Sequence, residues 1–375
     1  MTSSPQQAEL GGISGSAPLQ GLRVLDLSRV LAGPLCTMML GDLGAEVIKV
    51  ERPGAGDDTR GWGPPFDSRG ESAYFLSCNR NKRSLSADLS VPEDQRLICD
   101  LAREADVVVE NFLPGVLSRK SIDAAQMLSE NDALIWCTIG GYPDQPERPG
   151  YDFAVQAESG WMSVTGEPDG APLRTAVALI DVLTGKDAAI AILAALVGRD
   201  RRTAAQRHLS VSLAGTAVAA LANVAQNALV SGQEAMRWGN AHANLVPYQL
   251  FETSDRPIVI AVGSDAQWRA LTGVLGDVDL AADSELDSNS GRVVNRARCV
   301  DAVQRVLRTA PAVEWKVRCE RVGVPVGLVR TVLEALADVG ASPLTGVPSS
   351  VGGAVRLPPP TLGQHSEAIR ARGWG

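Results

Sequence analysis

Several features that mark large classes of protein are missing from this sequence. Its six cysteines, Cys36, Cys78, Cys99, Cys137, Cys299 and Cys319, stand singly, without paired C-x-x-C spacing and without the density of a disulfide scaffold. They read as reduced thiols of a cytoplasmic protein, and no metal site is expected. No run of Lys and Arg is interleaved with aromatic residues, and the formal net charge is -8, which argues against nucleic acid as a partner. The longest clean apolar run, Ala188 to Val197, is about half of the roughly 20 residues that a membrane-spanning helix needs, so no membrane is expected. Residues 1–18 are rich in Ser, Gly and Gln and lack the basic start and apolar centre of a signal peptide. A disordered tail is expected there.

What is present is a chain of 375 residues, long enough for one large or two ordinary domains with a cleft. Periodicity switches quickly in the N-terminal half. Leu22 to Leu27 is a strand-like run, Ala32 to Leu43 a helix-like one, and Ala45 to Glu51 a strand again. The helical Glu93 to Glu104 leads into the strand Ala105 to Glu110, and Ala133 to Thr138 is another. Continuous apolar strands alternating with helices imply a parallel sheet covered on both faces, an α/β fold of Rossmann-like type. From Thr184 to Val230 the chain is helical and Ala-rich, broken by Arg199 to Arg202, and reads as linker helices. A second, α+β region begins at Val246, with the strand Pro257 to Val262 and helices from Asp265 to about Leu307. Pro358 to Gly363 cannot be helical and reads as an extended surface segment.

The first β-α-β unit, ending in the acidic Glu51, mimics a dinucleotide-binding fold. Its turn, Leu31-Ala32-Gly33-Pro34, has one glycine where that fingerprint needs three, which argues against NAD or FAD. The segment Gly21-Leu22-Arg23-Val24-Leu25-Asp26-Leu27-Ser28-Arg29-Val30-Leu31-Ala32-Gly33-Pro34 instead resembles the opening signature of the class III CoA-transferases, the CaiB/BaiF group of formyl-CoA and carnitine-CoA type. Leu40 to Pro53, Asn79 to Ser84, Ala105 to Gly115, Gly150-Tyr151-Asp152, the Asp181 segment, Arg237 to Asn240, Gly323-Val324-Pro325 and Leu362 to His365 continue the resemblance from residue 19 onward.

The resemblance implies a large CoA-binding domain over residues 19–205, completed by 325–375, linker helices over 206–245 and a small α+β domain over 246–324. It also implies an interlocked homodimer, with acyl-CoA and a carboxylic acid as substrates and CoA as substrate rather than resident cofactor. In the family's pattern Arg52, Asn111, Phe112 and Arg119 line the nucleotide end of CoA, Lys82 lies nearby, and Val30 with Leu31 forms the loop facing the thioester. Adenine wants an apolar or aromatic slot and phosphates want guanidinium forks, so these residue types suit the ligand. Taken singly, Arg119 and Lys82 also read as ordinary solvated charges.

The segment Ala176 to Gly185 places one carboxylate, Asp181, in an apolar stretch directly before the long helix. On its own Asp181 reads either as an N-cap or as a nucleophile, and the helix N-terminus is expected to keep it ionised at neutral pH. The family's catalytic Asp falls at this place, which implies transfer through aspartyl anhydride and aspartyl-CoA thioester intermediates. Gly239, Asn240 and His242 are the nearest equivalent of the family's mobile glycine-rich loop.

The same fold carries α-methylacyl-CoA racemases, whose His precedes the Asp of a Gly-His-Asp triplet. Here that triplet is Gly150-Tyr151-Asp152, none of His208, His242 and His365 falls at that position, and Asp265 stands where the racemase has Glu. A phenol is a poor base near neutrality, so transferase is the better reading. Departures at Thr203 to Gln206, Ser210, Ala243 and Asp255-Arg256 leave a non-catalytic CoA-binding relative as a further alternative.

Overall fold

The computed structural model of the protein describes residues 17–338, 347 and 349–375, so most of the expected tail lies outside the described residues. The described residues form two compact units, one within residues 17–161, 174–232 and 347–375, the other within residues 162–173 and 233–338.

The chain order is β1 (Arg23–Asp26), α1 (Ala32–Asp42), β2 (Glu46–Glu51), α2 (Ala73–Ser77), β3 (Lys82–Ser86), α3 (Pro92–Arg103), β4 (Val107–Glu110), α4 (Ala124–Glu130) and β5 (Ile135–Gly140). It continues through α5 (Asp152–Glu158), α6 (Trp161–Val164), α7 (Leu179–Val197), α8 (Ala204–Arg207), β6 (His208–Ser212), α9 (Leu213–Ala220) and α10 (Ala222–Ser231). All six strands are parallel, in the order β3-β2-β1-β4-β5-β6. The chain works outward from β1 to β3 and then returns to lay β4 on the other side of β1. That reversal makes a crevice beyond the carboxyl ends of β1 and β4, the place where open α/β sheets bind ligands.

Alternate strand residues feed two cores. Val24, Val47, Val107, Val109, Ile135 and Cys137 pack against Cys36 and Leu40 of α1 and Ile180, Ala188 and Ile192 of α7. Leu25, Ile48, Val108 and Trp136 face Ile98 and Leu101 of α3 and Met127 and Leu128 of α4. The helix α3 has Pro92 at its start, Glu93 and Asp94 in its first turn and Arg103 in its last, which suits both its geometry and its dipole. Gly185 lets α7 approach α1, since a Cβ there would stand 2.6 Å from the Ala32 carbonyl oxygen. The start of α7 is thereby held beside the turn that follows β1.

The mixed α/β expectation holds, with local differences, among them a strand β3 at Lys82–Ser86 where none was expected. The long helix begins at Leu179 rather than Thr184, so Asp181 lies inside its first turn. Within the segment read as linker helices, residues 208–212 form the outer strand β6. His208, Ser210 and Ser212 interrupt its apolar residues and the strand is partly exposed, so no continuous apolar run marks it. All six cysteines are buried and unpaired. Among the described residues no single helix is long and apolar enough to cross a membrane.

In the second unit, β7 (Tyr248–Phe251), β8 (Ile258–Ala261) and β9 (Val326–Leu328) form an antiparallel sheet in that order. Phe251, Ile258 and Ile260 of the sheet pack with Trp268, Leu271, Val303 and Trp315 from helices Asp265–Leu275, Arg296–Leu307 and Ala312–Arg321. In the first unit the C-terminal segment lies along β3: Asn81 N–H donates to Leu357 O at 2.9 Å and Gly363 N–H to Ser84 Oγ at 2.8 Å. This covers an otherwise open sheet edge.

Candidate active site

The turn after β1 is the centre of the site. Val30 has φ 72°, a left-handed conformation that a β-branched residue adopts only under constraint. The constraint is visible on both sides. The Asn111 side chain clamps Arg29, accepting from its N–H at 2.9 Å and donating to its carbonyl at 2.8 Å. The Val30 N–H points at both carboxylate oxygens of Asp57, each at 3.3 Å. Asp57 is itself held by the buried Lys49 at 2.9 Å.

Two cavities meet at this turn. One, of about 250 Å³, is lined by Val30, Leu31, Asn111, Phe112, Tyr151 and Asp181, among others. The second, of similar size, is lined by Val50, Arg52, Leu89, Ser90 and Lys120. Arg29 and Phe112 belong to both, with the guanidinium 5.0 Å from the ring centroid, so the pair forms the shared wall. Asp58 bridges Arg29 at 3.6 Å and Arg52 at 2.5 Å.

Asp181 does not cap α7. That role belongs to Asp152, whose carboxylate accepts from Ile180 N–H at 2.8 Å and Asp181 N–H at 3.3 Å, while Gln156 Nε2 donates to it at 2.6 Å. The Asp181 carboxylate accepts no hydrogen bond from any described residue. Burial, and after it the charge of Asp152, pushes its acid up to about 7. The expectation of an ionised carboxylate at neutral pH is therefore corrected: burial disfavours the charge, and the helix terminus that would favour it is already occupied by the Asp152 anion. The Tyr74 hydroxyl, pushed up to about 12 by burial and then by Asp181, lies in the same field.

Val30, Leu31, Asn111, Phe112 and Asp181 are thus brought together at one cavity, and Arg52 at the adjoining one. Lys82 and Arg119 line neither. Lys82 is fully buried and donates to Asp26 Oδ2 at 2.9 Å, Pro34 O at 2.8 Å and Asn79 Oδ1 at 2.9 Å, so all three of its N–H donors are engaged beneath the turn. Arg119 is exposed, and the neighbouring Lys120 lines the second cavity instead. Gly239, Asn240 and His242 belong to the second unit, where Gly239 has φ 58° and His242 N–H donates to Tyr248 O at 2.9 Å. Sequence reasoning missed Arg29, although it sits inside the quoted opening motif. It also missed Asp152 as the cap, a contact across 28 positions that no local pattern announces.

Residues 19–366 match the profile of CoA-transferase family III, and the chain belongs to that family. It is 41% identical to the succinyl-CoA:glutarate CoA-transferase of Mus musculus, over 94% of this chain and 85% of the relative. It is also 41% identical to the succinate--glutarate CoA-transferase of Agrobacterium fabrum (strain C58), over 86% of this chain and 82% of that one. Among solved structures, a CaiB/BaiF family protein from Brucella suis superposes with a TM-score of 0.80 at 39% identity, covering 95% of this chain and 99% of the other.

Proposed function

We propose that this protein transfers CoA from an acyl-CoA to a carboxylic acid with Asp181 as the covalent carrier. The observation that carries the reading is a carboxylate that accepts no hydrogen bond from any described residue, raised to about 7, in the first turn of α7 and on the wall of a cavity. A poorly solvated carboxylate is a better nucleophile than a hydrated one. Asp181 attacks the thioester carbonyl, forming an anhydride and expelling CoA thiolate. The thiolate attacks the Asp181 carbonyl of the anhydride, which releases the donor acid and leaves an aspartyl-CoA thioester. The acceptor carboxylate attacks that thioester, giving a second anhydride and expelling CoA thiolate, and the thiolate then attacks the acceptor's carbonyl of the anhydride, forming the new acyl-CoA and freeing the Asp181 carboxylate. A racemase reading is disfavoured: Asp152 is engaged as a helix cap, and Asp265 pairs with Arg292 at 2.8 Å. Hydroxylamine added during turnover should leave a hydroxamate on Asp181, read by peptide mass spectrometry. An adduct on Asp152, or none, would refute the mechanism.

In this reading CoA lies with its nucleotide end in the second cavity, where Leu89 and Phe112 offer apolar surface and Arg52 and Lys120 offer charge, and its thioester beyond the Arg29–Phe112 wall. Arg52 and Lys120, rather than Lys82 or Arg119, are the phosphate ligands. The protein is a homodimer of the cytoplasm. Buried free thiols suit a reducing compartment, and a single chain leaves Ile190, Val197, Leu229 and Val230 between 64% and 86% exposed. One preparation tests both statements. Sedimentation at micromolar concentration should give a dimer, and calorimetry should show CoA affinity falling about tenfold in Arg52→Ala and in Lys120→Ala. A monomer sinks the first statement, and affinity lost in Arg119→Ala instead sinks the second.

A further inference from the structure

Arg148 has no part in the cycle above, yet it lines the cavity that holds Asp181. Its segment is tightly seated: a Cβ on Gly150 would stand 2.3 Å from the Cα of Gly141, and Arg148 N–H donates to Gln145 O at 2.9 Å. The guanidinium lies over the Tyr142 ring, 4.1 Å from its centroid, and Nη2 donates to Glu158. Glu158 takes one of the five N–H donors of the fork, so one two-donor edge is left whole. No described residue fills that edge, and the side chain is 39% exposed. The other cation on this cavity's wall, Arg29, stands at the boundary with the second cavity and lines both, whereas Arg148 lines only the cavity that holds Asp181.

An acid whose reacting carboxylate meets Asp181 presents its other end to the same cavity. For a monocarboxylic acid that end is apolar, and seating it there strips water from a guanidinium with nothing in return. A second carboxylate instead accepts two parallel hydrogen bonds from the planar fork. Resting on the reading of Asp181 as carrier, we infer that Arg148 recognises the distal carboxylate of a short dicarboxylic acid and sets the protein's preference for that class over monocarboxylic acids of equal length.

The test is self-exchange, in which labelled glutarate is exchanged with glutaryl-CoA and labelled pentanoate with pentanoyl-CoA, both read by mass spectrometry. Donor and acceptor then belong to one class in each arm. The wild-type protein should favour the glutarate arm. Arg148→Met should lower kcat/KM for glutarate roughly 30-fold or more, the lower end of the loss expected when one member of a hydrogen-bonded charge pair is removed. Pentanoate exchange and CoA affinity should stay within about threefold in that variant, and Arg148→Lys should recover part of the glutarate rate, since it keeps the charge and loses the fork. Equal wild-type rates on both acids, or equal loss in both arms with Arg148→Met, overturns the inference while leaving Asp181 as carrier. Absence of exchange in both arms by the wild-type protein overturns the carrier reading, and this one with it.

Discussion

Asp181→Asn should abolish CoA transfer and at the same time stabilise the fold at about pH 8. The activity loss, expected at ~10³-fold or more, follows because an amide cannot form the anhydride. The gain in stability follows from linkage. The folded chain holds the Asp181 proton up to about 7, whereas the ordinary value is 3.8, so between those limits the folded state binds more protons than the unfolded one. The stabilisation is therefore fully present below 3.8 and is lost as pH rises to about 7, and above that the folded protein carries an anion it would rather hold protonated. A neutral Asn removes this penalty. The shift corresponds to at most about 4 kcal/mol, and partial solvent access at the cavity reduces it to roughly 1–3 kcal/mol. Thermal unfolding of both proteins across pH reads the sign directly. Equal melting curves at about pH 8 would show that Asp181 is not held against ionisation.

The same acid sets the pH profile of transfer. kcat/KM for the acyl-CoA donor should rise tenfold per unit at acid pH and level off near 7. Asp152→Asn keeps a helix cap of equal quality but removes the neighbouring charge, so it should move that midpoint downward.

Legibility in the sequence follows the range of the forces involved. The strands β1, β2, β4 and β5 are buried on both faces and read as apolar runs, while β6 is an outer strand broken by His208 and Ser210 and is not legible that way. Val30 and Leu31 on one hand, and Asn111 and Phe112 on the other, were findable because each pair lies within a contiguous motif. What holds them was not. Asp57 reaches Val30 across 27 positions, and Asp152 reaches Ile180 across 28, so neither contact leaves a local spacing. Lys82 misleads for a different reason, since lysine is seldom fully buried and a lysine in a ligand-binding motif is naturally read as facing the ligand.

Lys82→Met should therefore unfold or strongly destabilise the protein without being a CoA-binding defect. Asp26 is fully buried, and burial alone would push its acid up, but Lys82 and then Lys49 outweigh that and hold it down to about 2. Asp26 is thus an anion, contacted at 2.9 Å by Lys82 Nζ, at 2.7 Å by Thr37 Oγ1, and by Ser28 N–H and Oγ–H. Methionine fills much of the space and supplies no charge, leaving that anion underneath the turn with Lys49 at 4.0 Å as its remaining cation. Removing one partner of a buried pair costs about 3–5 kcal/mol, a large share of the 5–15 kcal/mol by which ordinary domains are stable. Urea unfolding measures that loss, and calorimetry on whatever fraction folds should give CoA affinity close to that of the wild-type protein. Asp26→Asn combined with Lys82→Met removes both charges, and it should recover part of the stability lost by the single variant. If Lys82→Met instead unfolds at the wild-type urea concentration and fails to bind CoA, Lys82 is a ligand of CoA and the buried assignment is wrong.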